Sequence, residues 1–484
     1  MRAQHRLNPR ARKRQRLCPV RVIGVALVLF VASTASAELE ARLDKALGLR
    51  ALRGARVAAL VVSREDGSVL YARDADRALV PASNLKVLTA LAALSAFGPA
   101  HRFTTEVLAD APPDAEGAID VLALRGGGDP ALTSEQFWRL AADLRLAGVS
   151  RVRKELVLDA SAFDRERWHP TWGRTTARAY HAPVGALTAN YGAFAVSVRA
   201  GARPGDPVRV TIDPPVQFLS VTNRARTGSR RSKLTLVVDR APAGAVENVV
   251  VTGSLPAGRD PEVHYRSVLD PVRYAGAVLA MQLEAVGIAL EGPTRVGPAA
   301  AKVPLIEYRG QTLAEIVRLF LKYSNNAIAE GLVKSLGARA GGVGTWTGGI
   351  AAVREELAEH GVPDAGLRMV DGSGLSTENR VSPRTLVAAL RAADQSFGIG
   401  PEFEAALPIA AADGTLRKRS RGAAGRVRAK TGLLTGVTGL SGYAARPDGT
   451  QVVFSILVNG FRDGADGAMA AVDRFAAELT TSKE

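Results

Sequence analysis

The first regular pattern in the chain is a run of apolar and β-branched residues at 56–63, followed by a second short run at 69–72. The polar turn 65–68 between them predicts a β-hairpin. From Pro81 the period lengthens, and leucine, valine and alanine recur at helical spacing as far as Gly98. We therefore expect a hairpin followed by a mostly buried helix.

The middle of the chain, residues 99–263, has short apolar runs separated by clusters of glycine, proline and aspartate. The clearest runs, which predict strands, are 121–124, 156–158 and 234–238. This texture indicates one or two inserted, mainly β modules. The basic stretch 224–233 is interpreted as a solvated loop in preference to a binding patch.

Helical periodicity returns from residue 264. The windows that predict amphipathic helices are 271–287, 311–337, 350–360 and 384–394. The chain ends with a strand, the turn 447–449, a strand at 451–459 and a helix at about 466–479. Because both ends read as hairpin and helix, we expect one α/β domain, formed by 38–98 and 264–484 and split by the insertion 99–263.

The amino terminus has the three parts of a secretory signal peptide. Residues 1–21 carry eight basic and no acidic side chains, 22–31 are apolar, and 35–37 read Ala-Ser-Ala. A retained membrane anchor is the alternative, but about ten apolar residues fall short of the ~20 that span a bilayer. We expect 1–37 to be removed and the protein to be exported to the periplasm or cell envelope, with at most peripheral membrane association.

Composition narrows the function classes. The chain has 484 residues, 47% hydrophobic and 23% charged, which fits a multi-domain globular protein and excludes wholesale disorder. The net charge of +16 invites a nucleic-acid partner, but half of it lies in the predicted signal peptide, so +8 remains and no nucleic acid is needed to explain it. The single cysteine, Cys18, leaves with the signal, which excludes a disulfide framework and multi-cysteine zinc sites.

Ser83 and Lys86 are three residues apart at the start of the first predicted helix, so they share one face. A serine hydroxyl is a weak nucleophile at neutral pH and needs a base, and a lysine can serve when its pKa is lowered. A capping serine beside a surface lysine would give the same pattern, so this motif alone is not specific.

Two further motifs follow. Ser324 and Asn326 form S-x-N at a predicted helix junction, where both side chains can point into a cleft, although serine and asparagine are also common helix caps. K-T-G at 430–432 begins a predicted strand, where a cation and a hydroxyl can hold a carboxylate and the glycine lets a ligand backbone approach. An ordinary edge strand with a protective lysine is the alternative.

The conjunction of these motifs is more specific than any one of them. S-x-x-K, S-x-N and K-T-G each occur once, in this order, which is the motif set of the penicillin-recognising serine acyl-transferases. The five histidines after residue 37 lack H-E-x-x-H spacing, there is no G-x-S-x-G elbow, and Gly126-Gly127-Gly128 is not followed by G-K-[ST]. We expect serine acyl transfer without a metal or other cofactor.

The separation of 241 positions between Ser83 and Ser324 is too large for a compact β-lactamase. This long insertion resembles that of the low-molecular-mass class C penicillin-binding proteins, the D-alanyl-D-alanine carboxypeptidase/endopeptidase family. The segments 127–132, 371–376 and 413–416 are also similar to that family. The resemblance covers essentially the whole mature chain. It implies a penicillin-binding transpeptidase/β-lactamase-like domain, an antiparallel sheet with helices, split by inserted domains II and III.

The resemblance also implies a role for each motif residue. Ser83 would be the acylated nucleophile and Lys86 its general base, while Ser324 would relay the proton to the leaving amine. Asn326 would bind the substrate amide and orient Lys86. The implied reaction is attack on the peptide bond after a D-alanine, loss of the amine and hydrolysis of the acyl-enzyme. Peptidoglycan stem peptides would be the substrates, and β-lactam antibiotics would acylate Ser83.

The remaining implied contacts lie on the predicted strand that carries the third motif. Lys430 and Thr431 would hold the terminal carboxylate, and Gly432 would let the substrate backbone approach. The backbone N–H groups of Ser83 and Leu433 would form the oxyanion hole.

The sequence departs from the family pattern at one position, and two other functions are alternatives to the predicted peptidase. Family members often carry an acid shortly after a tryptophan of the insertion, whereas Arg174 occupies that place here and does not suit a substrate ammonium.

One alternative function is a β-lactamase or esterase on the same core. The other is a non-enzymatic protein that binds an anionic wall polymer through basic residues near the third motif. These residues, whose field can also steer acidic stem peptides, are Arg417, Lys418, Arg419, Arg421, Arg426 and Arg428.

Overall fold

The computed structural model describes residues 37–462 and 464–481. All of the predicted signal peptide 1–37 except its last residue therefore lies outside the described residues. Within the described ranges, no helix is both long and apolar enough to cross a bilayer.

The described chain begins with a helix, a hairpin and a second helix. These elements are α1 (37–47), β1 (Arg56–Ser63), β2 (Val69–Arg73) and α2 (Lys86–Phe97). The predicted hairpin and helix are confirmed. Ser83 lies in a short 3₁₀ turn, Ala82–Leu85, that leads directly into α2.

The segment 99–312, which contains the predicted insertion, is mainly β, with two helices. Its elements are β3 (Arg102–Ala109), β4 (Ala118–Gly126), α3 (Ser134–Leu146), β5 (Arg151–Asp159), β6 (Ala193–Arg199), β7 (Arg209–Asp213), β8 (Leu219–Asn223), β9 (Arg226–Gly228), β10 (Val237–Ala243), β11 (Val246–Thr252), β12 (Ser254–Pro256), β13 (Glu262–Ser267), α4 (Pro271–Ala285), β14 (Ala289–Leu290), β15 (Thr294–Val296) and β16 (Val303–Thr312). The runs 121–124 and 156–158 lie inside β4 and β5, whereas 234–238 only reaches β10 at its end. The basic stretch 224–233 contains the short strand β9, and its charged side chains are exposed.

The strands of the insertion form four small sheets. A six-stranded sheet has the order β14-β5-β4-β3-β16, with β15 also paired to β5. The others have the orders β10-β11-β8, β13-β6-β7 and β12-β9. Helices α3 and α4 pack against each other, and side chains of both belong to the insertion's core.

The sheet pairing bears on where the chain returns to the α/β domain. The sequence pattern predicts that the chain re-enters the α/β domain at 264. However, β13 pairs with β6 and β16 pairs with β3, and both β6 and β3 belong to the insertion. The returning helical pattern is misleading because its first helix, α4, packs on α3. We therefore propose that the insertion extends from 99 to Thr312.

The C-terminal part supplies six helices and three strands of the described chain. They are α5 (Leu313–Tyr323), α6 (Asn326–Gly341), α7 (Trp346–Glu359), α8 (Pro383–Gln395), α9 (Gly400–Ala406), β17 (Val427–Leu434), β18 (Val437–Ala445), β19 (Gln451–Asn459) and α10 (Ala465–Glu478). The window 311–337 forms two helices, and the predicted junction lies between them, where Ser324 adopts a left-handed conformation (φ 58°) that ends α5. Helix α9 was not predicted.

Both ends of the chain form one five-stranded antiparallel sheet, in the order β17-β18-β19-β1-β2. Leu60 of β1 packs in the cluster that contains α2, whereas its neighbour Val61 packs in the cluster that contains α1 and α10. Burial of both faces explains the uninterrupted apolar run at 56–63. The predicted fold class, an antiparallel sheet with helices split by a mainly β insertion, is confirmed.

Candidate active site

Ser83 is positioned by the close packing of its turn on β17 and β18. Asn84 is fully buried and donates its Nδ2 hydrogen to the Pro81 carbonyl at 3.1 Å. Gly432 and Gly439 face each other across the two strands, and a Cβ on either would lie 2.4 or 2.8 Å from Asn84 Nδ2. The paired glycines therefore leave the room that brings the serine turn onto the strand.

Lys86 is fully buried beside Ser83. Its Nζ donates to Ser83 Oγ at 3.1 Å, to Asn326 Oδ1 at 2.7 Å and to the Ser373 carbonyl at 2.7 Å. Burial lowers the pKa of Lys86 to about 7, against the opposing effect of two buried carboxylates. A large neutral fraction near neutral pH is what a lysine general base requires.

Lys430 connects the second and third motifs. Its Nζ donates to Ser324 Oγ at 2.9 Å and to the Thr431 carbonyl at 2.8 Å. Lys430 is also fully buried, and burial followed by the nearby charge of Lys86 lowers its pKa well below the usual range. Together with the Lys86–Asn326 bond, these contacts bring all three predicted motifs into one cluster.

The segment 413–416, which the sequence marked only by resemblance, supports Thr431. Thr431 Oγ1 donates to Thr415 Oγ1 at 2.8 Å. Lys322 anchors the start of this segment, because its buried Nζ donates to Asp413 Oδ2 at 2.6 Å and to the Leu407 carbonyl at 2.7 Å. This network holds the Thr431 side chain at the proposed carboxylate site, and Thr415 can donate to Thr431 Oγ1 when Thr431 donates to a carboxylate.

We expect Thr415→Val to raise the KM for peptides that end in a free D-alanine carboxylate. Loss of one supporting hydrogen bond costs about 1 kcal/mol, which corresponds to roughly a fivefold lower kcat/KM. The assay is release of D-alanine, with Thr211→Val on the exposed edge of β7 as the control. An unchanged KM for Thr415→Val would show that Thr431 does not depend on this bond.

Two buried carboxylates behind Lys86, Glu330 and Asp371, were not assigned a role from the sequence. Glu330 follows Asn326 by four residues on α6, a spacing that places both on one helix face and could have been recognised. Asp371 accepts hydrogen bonds from backbone and side-chain donors. These donors are the N–H groups of Gly374 and Ser376, Asn379 Nδ2 and Trp172 Nε1.

The insertion reaches the site through its loop 164–181. Trp172 Nε1 donates to Asp371 Oδ2 at 2.9 Å, and Thr171 Oγ1 donates to Ser376 Oγ at 2.7 Å. Arg174 in the same loop is exposed. The insertion therefore packs against the segment 371–376, next to the buried Lys86.

Asn326 and Leu433, the remaining predicted site residues, differ in their surroundings. Asn326 Nδ2 donates to the Tyr180 carbonyl at 2.9 Å, so the amide that was predicted to bind substrate is engaged by the insertion. Leu433 is 48% exposed near the end of β17, beside Gly432. Leu433 is therefore accessible to solvent at the third motif.

Of the six basic residues before the third motif, two lie near acidic side chains and four are exposed to solvent. Arg419 pairs with Asp473 at 2.9 Å, and Arg428 lies 3.7 Å from Glu404. The exposed members of the group are Arg417, Lys418, Arg421 and Arg426. Across 37–462 and 464–481, no cluster of three or more histidine, cysteine or acidic side chains could hold a metal ion.

Comparison with known proteins identifies the family. Residues 39–479 match the sequence model of the D-Ala-D-Ala carboxypeptidase 3 (S13) family. The chain belongs to this family. It is 39% identical over 485 residues to a D-alanyl-D-alanine carboxypeptidase of Actinomadura sp. (strain R39), a match that covers 96% of this chain and 88% of the relative. It is 26% identical over 398 residues to the D-alanyl-D-alanine carboxypeptidase DacB of Haemophilus influenzae, covering 80% and 81%.

A solved structure shows the same fold. The crystal structure of penicillin binding protein 4 (dacB) from Haemophilus influenzae superposes with a TM-score of 0.77 at 24% identity, covering 90% of this chain and 98% of that one. The resemblance to low-molecular-mass class C penicillin-binding proteins is confirmed. This S13 peptidase is a serine DD-peptidase, a hydrolase, so the family assignment favours the peptidase prediction over the β-lactamase and polymer-binding alternatives.

Proposed function

We propose that this S13 peptidase is exported to the cell envelope and cleaves the bond after a D-alanine in peptidoglycan stem peptides. The leaving group is a terminal D-alanine or the amine of a cross-linked stem. The single observation that carries the proposal is the buried Lys86 Nζ, 3.1 Å from the half-buried Ser83 Oγ. A nucleophile and its base within hydrogen-bond reach are the core of covalent acyl transfer.

Acylation follows from these contacts. Neutral Lys86 accepts the proton of Ser83 as the serine oxygen attacks the D-alanyl carbonyl, and the negative charge develops on the carbonyl oxygen. The backbone N–H groups of Ser83 and Leu433 stabilise that charge. The substrate carboxylate binds Lys430 and Thr431, and its negative charge favours the protonated form of Lys430.

Proton transfer to the leaving amine completes the first half-reaction. The Ser324 hydroxyl is bonded to Lys430 and passes a proton to the amine nitrogen as the C–N bond breaks. Lys86 then gives up the proton that it took from Ser83, which restores the Ser324 hydroxyl and returns Lys86 to its neutral form. In the second half-reaction, Lys86 activates the water that hydrolyses the ester at Ser83.

Labelled penicillin tests this assignment, because a β-lactam acylates the nucleophile of such a site. We expect one label per molecule in the wild-type protein and in the exposed control Ser229→Ala, and none in Ser83→Ala. Label that persists in Ser83→Ala would refute Ser83 as the nucleophile. Rapid turnover of penicillin, instead of a long-lived acyl-enzyme, would favour the β-lactamase alternative.

Digestion of cross-linked muropeptides separates the two leaving groups. Release of free D-alanine indicates carboxypeptidase action, and conversion of dimers to monomers indicates endopeptidase action. Absence of both products, with Ser83 still acylated by penicillin, would contradict the proposed substrate.

A further inference from the structure

We propose that Glu330 is a positioning residue for acylation, which holds the Ser373 carbonyl against Lys86 and supplies the counter-charge that sets the pH range of catalysis. This inference rests on the proposed role of Lys86 as general base. It assigns a function to a buried acid that belongs to none of the three motifs.

Both carboxylate oxygens of Glu330 are engaged. Oε2 accepts from the Gly372 N–H at 2.9 Å and from Trp346 Nε1 at 2.8 Å, and Oε1 accepts from the Ser373 N–H at 2.8 Å. Glu330 is fully buried, so these bonds are not shared with bulk solvent. A buried carboxylate with three N–H donors anchors the backbone that supplies two of them.

The anchored backbone in turn reaches α2. The Ser373 carbonyl accepts from Lys86 Nζ at 2.7 Å, and the Gly372 carbonyl accepts from Thr89 Oγ1 at 2.8 Å. Residue 372 must be glycine for this segment to lie against α6, since a Cβ there would lie 2.4 Å from a methyl group of Val333. The segment is therefore clamped between Glu330 on α6 and the lysine on α2.

The charges around this clamp couple Glu330 to Lys86. Burial lowers the pKa of Lys86, and the charge of Glu330 opposes that shift. Burial, followed by the charge of Asp371, raises the pKa of Glu330, so the two groups titrate in overlapping pH ranges. The other titratable groups that interact with the pair are Asp371, Lys430 on β17 and Lys334 on α6. Three groups of the insertion, Asp164, Glu166 and His169, interact with Lys334 or Asp371.

Lys334, a buried lysine on α6, has its hydrogen-bond partners in the insertion and does not hydrogen-bond Glu330. Its Nζ donates to Asp164 Oδ1 and to the Glu166 carbonyl, both at 2.5 Å, and it lies 3.8 Å from the centre of the Trp346 ring. This lysine is therefore satisfied by the insertion. Removing the Glu330 charge would leave Lys86 with less opposing charge, so its pKa would fall further.

The test is the pH profile of the penicillin acylation rate between about pH 5 and 9. Because neutral Lys86 is the active form, a lower pKa moves the acid limb to lower pH. We expect Glu330→Gln to move that limb by about 1 pH unit. The plateau should fall as well, since the amide cannot accept three N–H bonds. Glu330→Asp keeps the charge, so its limb should stay in place while its plateau falls about tenfold through lost positioning.

Glu247→Gln is the matched control, because Glu247 is a buried carboxylate of the insertion that accepts two backbone N–H bonds. Its profile should match the wild type. An unmoved limb in Glu330→Gln would overturn the counter-charge role, and an unchanged plateau in Glu330→Asp would overturn the positioning role. If Glu330→Gln does not fold, the Asp variant still decides the second point. Failure of wild-type labelling at Ser83 would instead indicate failure of the proposed function.

Discussion

Lys86→Met is expected to reduce the rate of Ser83 acylation by about 10³-fold, the scale of a general base. Methionine keeps an unbranched side chain of similar length in a site where Lys86 is fully buried, so the packing is retained. It removes the nitrogen that lies 3.1 Å from Ser83 Oγ and the only side-chain donor to Ser373 that the described structure shows. The serine would then have to lose its proton to water.

The pH dependence gives this prediction a second readout. The pKa of Lys86 is about 7, so the wild-type rate should rise with pH through about 7 as the lysine becomes neutral, and fall as pH decreases. Lys86→Met should lack this rise. The measurement is the time course of penicillin labelling, with Lys154→Met, a substitution at an exposed lysine, as the control. Acylation of Lys86→Met within tenfold of the wild-type rate would exclude Lys86 as the base.

Gly432→Ala is expected to lower the acylation rate by about 100-fold, although it adds only one methyl group. The new Cβ would lie 2.4 Å from Asn84 Nδ2 and 2.7 Å from the Pro81 carbonyl, both in or beside the turn that carries Ser83. Contacts this short must be relieved by moving β17 away from the serine turn. A displacement of about 1 Å at reacting groups costs about 10²-fold.

The matched control for Gly432→Ala is Gly398→Ala, where a Cβ meets no atom within 4 Å. Both variants add the same group, so a difference between them isolates the close approach at Gly432. The measurement is again the rate of penicillin labelling, together with thermal unfolding to confirm that each variant is folded. A wild-type rate in Gly432→Ala would show that the serine turn tolerates separation from the strand.

The sequence predicted the elements with strong local patterns. The hairpin β1–β2 and the strand β19 followed from apolar runs between polar turns, and α2 followed from its helical period. The break at Ser324 was read as a helix junction because serine and asparagine are helix caps, and the structure places a left-handed residue there. Local patterns are reliable where the side chains themselves select the backbone conformation.

Partners far apart in the chain were less predictable. Helix α4 has a clear helical period, but the period does not indicate that α4 packs on α3. For that reason the sequence analysis assigned α4 to the α/β domain and expected the insertion to end near 264. Glu330 belongs to none of the three motifs, and the segment that contains Thr415 was marked only by resemblance. Their importance comes from contacts with Ser373 and Thr431, which lie 43 and 16 residues away along the chain.

The sequence by itself determined the three ordered motifs, the family and the serine-based chemistry, because these depend on residue types at short spacings. Only the tertiary structure decided how the motifs meet. Lys86 hydrogen-bonds Asn326, 240 positions away in the chain, and Lys430 hydrogen-bonds Ser324, 106 positions away. It also decided that both lysines are fully buried, which lowers their pKa values. Burial and long-range contact are properties of the packed chain, since they depend on which distant segments exclude water from the same side chain.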